Sequence, residues 1–231
     1  MKSFKTDVYS QIDNIPEGRI FTFGDLSFPQ SKLANIAVIL SNLTKEKKLA
    51  RIEKGAYYKP KPSNLGLGYL PVYQDEKLKY LTHKLNGYLT GAYIYNKMSL
   101  TEQSSSVITI AVRRPMRAFK FDKLSVECVK AYVDISDDGQ DLHLVRILDA
   151  IKDLRHIPGT SPQTVYDRIL NLHVSNLEYV NLKKLVSLSN NYPPRVRKIL
   201  CRILHDNNNV DLEKQLAATI CPTTRFKLPC V

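Results

Sequence analysis

Apolar residues recur along this chain at helical and strand spacings, and the spacings predict its elements. Phe4, Val8 and Ile12 fall every four residues, the interval of one helix face, and Asn14-Ile15-Pro16-Glu17-Gly18 supplies the turn residues that end that helix. A short extended piece over 19–23 follows. After Phe28-Pro29, the positions Leu33, Ile36, Ala37, Leu40 and Leu43 trace one side of an amphipathic helix. Two short runs, 49–53 and 56–59, flank Lys54-Gly55, where glycine tolerates the positive φ that a tight hairpin needs. Helix, short strand, helix, helix and basic hairpin are the parts of a winged helix-turn-helix, expected over residues 1–62.

Between Lys59 and Pro71 three prolines and two glycines interrupt any period, so an extended connector is expected, with the linker placed at 63–74. The remaining 75–231 form the second domain. Its pattern predicts a helical stretch over 75–95, then strands over 107–113, 118–121 and 124–131, the last two joined by a turn at Asp122-Lys123. A small antiparallel sheet is the expectation. After Asp137-Asp138-Gly139 the period changes to helical: Leu144, Ile147, Leu148, Ile151 and Leu154 make a stripe behind Asp141, an expected N-cap. Ser161-Pro162 opens another helix, Ser175-Asn176-Leu177-Glu178 has capping-box spacing, and Pro193-Pro194 starts a final helix before an irregular tail from Cys221. The fold class expected is α+β: a winged helix-turn-helix, then a domain with a small antiparallel sheet and a helical bundle.

Composition narrows the partners. The 231 residues are 43% apolar, enough for a buried core, and carry 34 Lys and Arg against 22 Asp and Glu, a net charge of +12. That balance suits a phosphate-rich or carboxylate-rich partner, with the ribosome, nucleic acid and an acidic protein all open. The charge is spread along the chain: +5 over 1–62, +2 over 63–140 and +5 over 141–231. The opening Met1-Lys2-Ser3-Phe4-Lys5 lacks the apolar segment of a signal peptide, and no apolar run has the length of a membrane span. The four cysteines, at 128, 201, 221 and 230, form no Cys-x-x-Cys pair. A reduced, cytoplasmic protein without membrane contact, metal or cofactor is expected.

On the helix over 33–43 the side away from the leucines carries Ser31, Asn35, Val38 and Asn42, with Lys45 at its margin. Asn pairs bidentately with the major-groove edge of adenine, and a small apolar side chain meets a thymine methyl. Lys32 and Lys45 around it, with Arg51, Lys54 and Lys59 on the hairpin, suit phosphates, which position a protein without reading sequence. A solvated, lysine-rich helix would carry the same residues. Two further basic clusters, Arg113-Arg114-Pro115-Met116-Arg117 and the helical set Arg195, Lys198 and Arg202, fit partner docking or an ordinary charged edge or face. Enzymatic readings are weaker. Asp122, Glu127 and Lys130 resemble nuclease residues, but 127 and 130 point to opposite faces of a strand; Asp149 and Asp153 share a helix face with Lys152 and Arg155 beside them, the composition of surface ion pairing.

The runs Ile15-Pro16-Glu17-Gly18-Arg19-Ile20-Phe21-Thr22, Leu40-Ser41-Asn42-Leu43 and Lys54-Gly55-Ala56-Tyr57-Tyr58-Lys59-Pro60 together resemble the winged-helix domain of AbiEi-type antitoxins. The likeness continues through Gly87-Tyr88-Leu89-Thr90-Gly91-Ala92-Tyr93, Leu100-Thr101-Glu102-Gln103, Val107-Ile108-Thr109-Ile110, Ile147-Leu148-Asp149-Ala150-Ile151-Lys152 and Tyr192-Pro193-Pro194-Arg195-Val196-Arg197, in order over nearly the whole chain. The resemblance implies an antitoxin of a bacterial toxin–antitoxin system of the abortive-infection type. Its N-terminal domain would bind double-stranded operator DNA and repress its own operon, and its C-terminal domain would counter a nucleotidyltransferase-like toxin. Asn42 stands where the resemblance implies arginine, and no catalytic residue is carried over. The alternatives are a stand-alone winged-helix transcription regulator and a metal-dependent nucleic-acid-processing enzyme.

Overall fold

The computed structural model describes residues 4–63, 68–135 and 139–221, arranged as two compact units that divide between Leu81 and Thr82. The sequence expectations for Asp137-Asp138 and for most of the tail lie outside the described residues. Among the described residues the chain is mixed α+β, with helices around three small sheets.

In the first unit the four-residue period yields α1 (Phe4–Asp13), which buries Val8 and Ile12. Strand β1 (Ile20–Thr22) leads into a one-turn 3₁₀ segment, Phe23–Asp25, closed by a reciprocal cap: Thr22 Oγ1 accepts from Gly24 N, and Asp25 Oδ2 accepts from Thr22 N at 2.7 Å. A second 3₁₀ turn, Gln30–Lys32, runs straight into α2 (Leu33–Lys45). Where the pattern predicts two helices between strand and hairpin, the structure has these two short turns and one long helix. Strands β2 (Ala50–Glu53) and β3 (Ala56–Tyr58) form the hairpin, and β3 lies centrally in an antiparallel sheet of order β1-β3-β2. Strand alternation sends Phe21 and Tyr57 toward α1 and α2, into a core with Ile36, Leu40, Leu43 and Leu49.

The other sheet face explains where this unit ends. Ile20 and Ala56 lie there against Val72, with Tyr80 packed alongside. Helix α3 (Gln74–Leu85) begins on that face: Glu76 Oε1 accepts from Ile20 N at 3.0 Å, and Tyr80 donates its hydroxyl to Glu53. The connector expected at 63–74 therefore contains packed structure. Lys61–Pro62 (β4) pairs antiparallel with Tyr69–Leu70 (β5), and the first unit extends past the boundary that composition places at residue 62.

In the second unit the helix expected over 75–95 is broken by a buried strand, β6 (Gly87–Thr90), before α4 (Gly91–Lys97). Gly87 is the reason this strand fits, since a Cβ there would lie 2.3 Å from the carbonyl oxygen of Ala111. Strands β7 (Val107–Val112), β8 (Phe119–Phe121) and β9 (Leu124–Lys130) complete a sheet of order β6-β7-β9-β8. It is mixed rather than antiparallel. The turn at Asp122-Lys123 joins β8 to β9, but β8 takes the outer edge and leaves β9 parallel to β7.

Helices α5 (Leu142–Asp153), α6 (Pro162–Arg168), α7 (Tyr179–Ser189), α8 (Pro194–Asp206) and α9 (Val210–Ala217) follow. Ser161 caps α6 by accepting from Thr164 N at 3.1 Å. Asp141 does not cap α5 with its side chain; the carboxylate pairs with Lys184 Nζ at 2.9 Å. Ser175 forms no capping box either. Its hydroxyl donates to Leu170 O at 2.8 Å across a π-helical segment, Ile169–Val174, that prolongs α6.

One polar group lies deep in this unit. Asp149 on α5 is 1% exposed, and its carboxylate accepts from Thr90 Oγ1 at 2.8 Å, Tyr192 Oη at 2.9 Å and Tyr88 Oη at 3.1 Å. Lys152 Nζ stands 3.8 Å away. Burial pushes this carboxyl above the ordinary aspartate range, against the pull of Lys152 and of the hydroxyls of Thr90 and Tyr192. Surface ion pairing, expected for Asp149, is thus replaced by a buried network that joins β6, α5 and the entry to α8.

Asp149→Ala would leave three buried hydroxyls without their acceptor and is expected to cost about 3 kcal/mol, read from the denaturant midpoint. Asp149→Asn, which keeps an acceptor oxygen, should cost less. A second expectation concerns alkali. Burial, the leading cause at each, holds the hydroxyls of Tyr88, Tyr95, Tyr166 and Tyr192 protonated above the usual tyrosine range. Their folded-state values exceed those of the unfolded chain, so their contribution to stability is complete below about pH 10 and is lost as pH rises beyond it. Part of the tyrosinate absorbance should therefore appear only together with unfolding; full ionisation of a still-folded chain would contradict this.

Candidate nucleic-acid interface

Helix α2 is held by one side. Ile36, Leu40 and Leu43 are buried, with Ile39 packed at the margin. At about 100° per residue the opposite side carries Asn35, Val38 and Asn42, all exposed, Val38 to 61%. Lys45 closes that side in the last turn. Ala34 and Ser41 lie on it too and are exposed, although the spacing argument passes over them. Leu33, expected in the core, is 36% exposed at the first position of the helix. Ser31 and Lys32 are exposed but belong to the 3₁₀ turn before α2, not to the helix itself. The Lys32 ammonium lies 5.7 Å from the centroid of the Phe4 ring.

The hairpin is set by its turn and by one irregularity. Gly55 has φ of +85°, a conformation L residues rarely adopt, and the pairing shifts register between Arg51 and Glu53. Arg51 is exposed and braces that shift by donating Nε to Glu53 O at 3.1 Å. Lys54 is exposed at the turn. Lys59 sits differently: its Nζ donates to Asp13 O at 2.8 Å, placing a cation at the C-terminal end of α1, which has no basic residue of its own in its last turn. Beyond α2, Lys48 pairs with Glu46 at 2.9 Å, so its charge is answered locally.

The basic clusters of the second unit divide. Arg113, Arg114 and Arg117 are exposed on the loop between β7 and β8, with Arg113 3.7 Å from Asp134. On α8 the expected shared face is engaged within the unit. Arg195 donates to Lys152 O at 2.8 Å, Lys198 is half-buried, and Arg202 pairs with Asp206 at 3.1 Å. The Tyr166 hydroxyl, first, and Arg202 hold the Asp206 carboxyl below its usual range. The pairing of β7 with β9 is continuous from Val107–Ser125 to Val112–Lys130, so Glu127 and Lys130 do point to opposite faces. Among the described residues no three His, Cys, Asp or Glu side chains converge as metal ligands, and no helix is long and apolar enough to cross a membrane.

No family model matches this chain, and no curated protein matches it. Three chains of solved structures do. One is the crystal structure of the RV2827C protein from Mycobacterium tuberculosis, at 15% identity and a TM-score of 0.41, with 94% of this chain covering 81% of that one. At that distance the likeness says nothing of what this chain binds.

The two sides of α2 predict opposite responses to truncation. Leu40→Ala should lower stability by about 2–5 kcal/mol, since Leu40 is fully buried, whereas Val38→Ala should stay within about 0.5 kcal/mol of the parent. Comparable losses in denaturant titration would mean the exposed side is wrongly assigned.

Proposed function

We propose that the chain is an autorepressing antitoxin whose first unit is a winged helix-turn-helix that reads operator DNA. The observation that carries the DNA-binding part is the exposed side of α2, with groove-sized Asn35, Val38, Ser41 and Asn42, beside a hairpin that bears Arg51 and Lys54. In this reading α2 enters the major groove, Asn35 and Asn42 pair with base edges, and Val38 meets a thymine methyl. Ser31, Lys32 and Lys45 reach the flanking backbone, and Lys54 at the hairpin tip holds a phosphate. Lys59 works chiefly as the cation at the end of α1. The antitoxin part rests on the resemblance of the ordered motifs to AbiEi-type antitoxins. In that part the second unit meets a toxin encoded beside the gene.

The test is binding of the full chain to DNA from upstream of its own gene against scrambled duplex, across salt concentrations. A preference of about 10³ or more for the upstream DNA is expected. Lys54→Ala should weaken binding to both duplexes and reduce the salt slope by about one unit, while Lys59→Ala should act mainly on stability. Asn35→Ala with Asn42→Ala should erode the preference by about 1–3 kcal/mol per lost base contact. Equal binding to both duplexes would remove the operator from the proposal.

A further inference from the structure

One turn of α3 reaches both edges of the first unit's sheet. In the order β1-β3-β2 the outer strands are β1 and β2. Glu76 accepts from Ile20 N on β1 at 3.0 Å, and Tyr80, four residues on and so on the same helix face, donates its hydroxyl to Glu53 on β2. The second contact depends on the register shift in the hairpin. Ala50 pairs with Tyr58 and Arg51 with Tyr57, so a regular ladder would bring Ile52 opposite Ala56. Instead Glu53 stands opposite Ala56, with Ile52 as the extra residue. Cross-strand partners share a face of the sheet, so Glu53 lies with Ala56 on the side of α3, and Arg51 lies with Tyr57 on the side of α1 and α2. Without the extra residue, strand alternation would turn Glu53 to the side of α2.

This placement sorts the charges at the hairpin turn. Glu53 immediately precedes the exposed Lys54. A carboxylate on the side of α2 would repel a phosphate there and compete with it for the Lys54 ammonium or the Arg51 guanidinium. The extra residue and Tyr80 remove it. The hydroxyl gives the carboxylate a donor on the α3 side, where the Tyr80 side chain packs against Ile20, Ala56 and Val72. Burial, first, and the hydrogen bond to Glu53 hold the Tyr80 hydroxyl protonated above the usual tyrosine range, so the donor persists at neutral pH. Arg51 Nε holds the backbone of the same residue, on Glu53 O at 3.1 Å. We infer that Tyr80 is a positioning residue for the DNA-contacting hairpin: it keeps the Glu53 carboxylate on the face opposite α2 and so leaves Lys54 to a phosphate. The inference rests on the reading of α2 and the hairpin as a DNA-binding surface.

The test measures binding of the full chain to upstream and scrambled duplex across salt concentrations, for the wild type, Tyr80→Phe, Glu53→Gln and the double variant. Phenylalanine keeps the packed ring and removes only the donor, while glutamine removes the charge. Tyr80→Phe should weaken binding about fivefold and reduce the salt slope by about one unit, because the released carboxylate answers Lys54 in place of a phosphate. The loss should be equal on the two duplexes, since a phosphate contact carries no sequence. Glu53→Gln should bind at least as tightly as the wild type, and adding Tyr80→Phe to it should change affinity by less than about twofold. Circular dichroism of each variant separates lost binding from lost folding. Unchanged affinity and slope in Tyr80→Phe overturn the role. So does an equal loss with Glu53 and with its Gln replacement, which would make Tyr80 a support of the fold alone. Absence of DNA binding by the wild type overturns the DNA reading and the role together. Equal wild-type binding to both duplexes, with Tyr80→Phe still weaker on each, removes the operator and upholds the role.

Discussion

A carboxylate taken out of water needs donors, and Asp149 obtains them from parts of the chain that are otherwise far apart. Thr90 and Tyr88 come from β6, and Tyr192 comes from the turn before α8. None of these hydroxyls has a better acceptor in the apolar layer formed by Val145, Ala111 and their neighbours. Desolvating an ionised carboxylate is expensive, and leaving three hydroxyls unpaired is expensive too, so the arrangement is stable only when complete. Completeness sets the position of the sheet edge, the depth of α5 and the point where α8 begins. Tyr192 also stacks on Tyr132, two residues beyond the end of β9.

The first unit is organised without such a group. Its three-stranded sheet separates two apolar layers, one under α1 and α2 and the other under the segment from Val72 to Tyr80. Helix α2 is gripped along one stripe only, which leaves the opposite stripe to solvent and to whatever presents a complementary groove. Cations around it differ in availability. Lys59 and Lys48 already have acceptors within the unit, whereas Lys54 stands exposed at the hairpin turn.

Short-range features were the legible ones. The stripe of Ile36, Leu40 and Leu43, the Gly55 turn, the Ser161 cap and the Asp122-Lys123 turn each depend on residues within a few positions of one another, and each is present. Long-range features were not. Which neighbour β9 takes is decided by β8 moving to the edge, and nothing within 107–131 dictates that choice. Asp149 looks like a surface residue because its helix carries an obvious apolar stripe on another side; only burial of that helix on several sides makes it internal. Lys59 reads as a phosphate ligand by its place on a basic hairpin, but the carbonyl it meets belongs to a helix 46 positions earlier. For the interface on α2, the helical period located Asn35, Val38 and Asn42, while Ala34 and Ser41 would have followed from applying the same angle to every residue.

Sequence separation also gives the two units different histories during synthesis. The partners of Asp149 lie 61 residues before it and 43 after it, so the network that replaces water around its carboxylate can be complete only once the segment carrying Tyr192 has been made. The side chains that fill the first unit's two apolar layers all lie before residue 82. On a ribosome adding residues at about 5–20 per second, the region around α2 can therefore fold while the sheet and helices that follow are still open. The region around α2 is thus complete in sequence well before the second unit's buried network can be, since that network needs the start of α8.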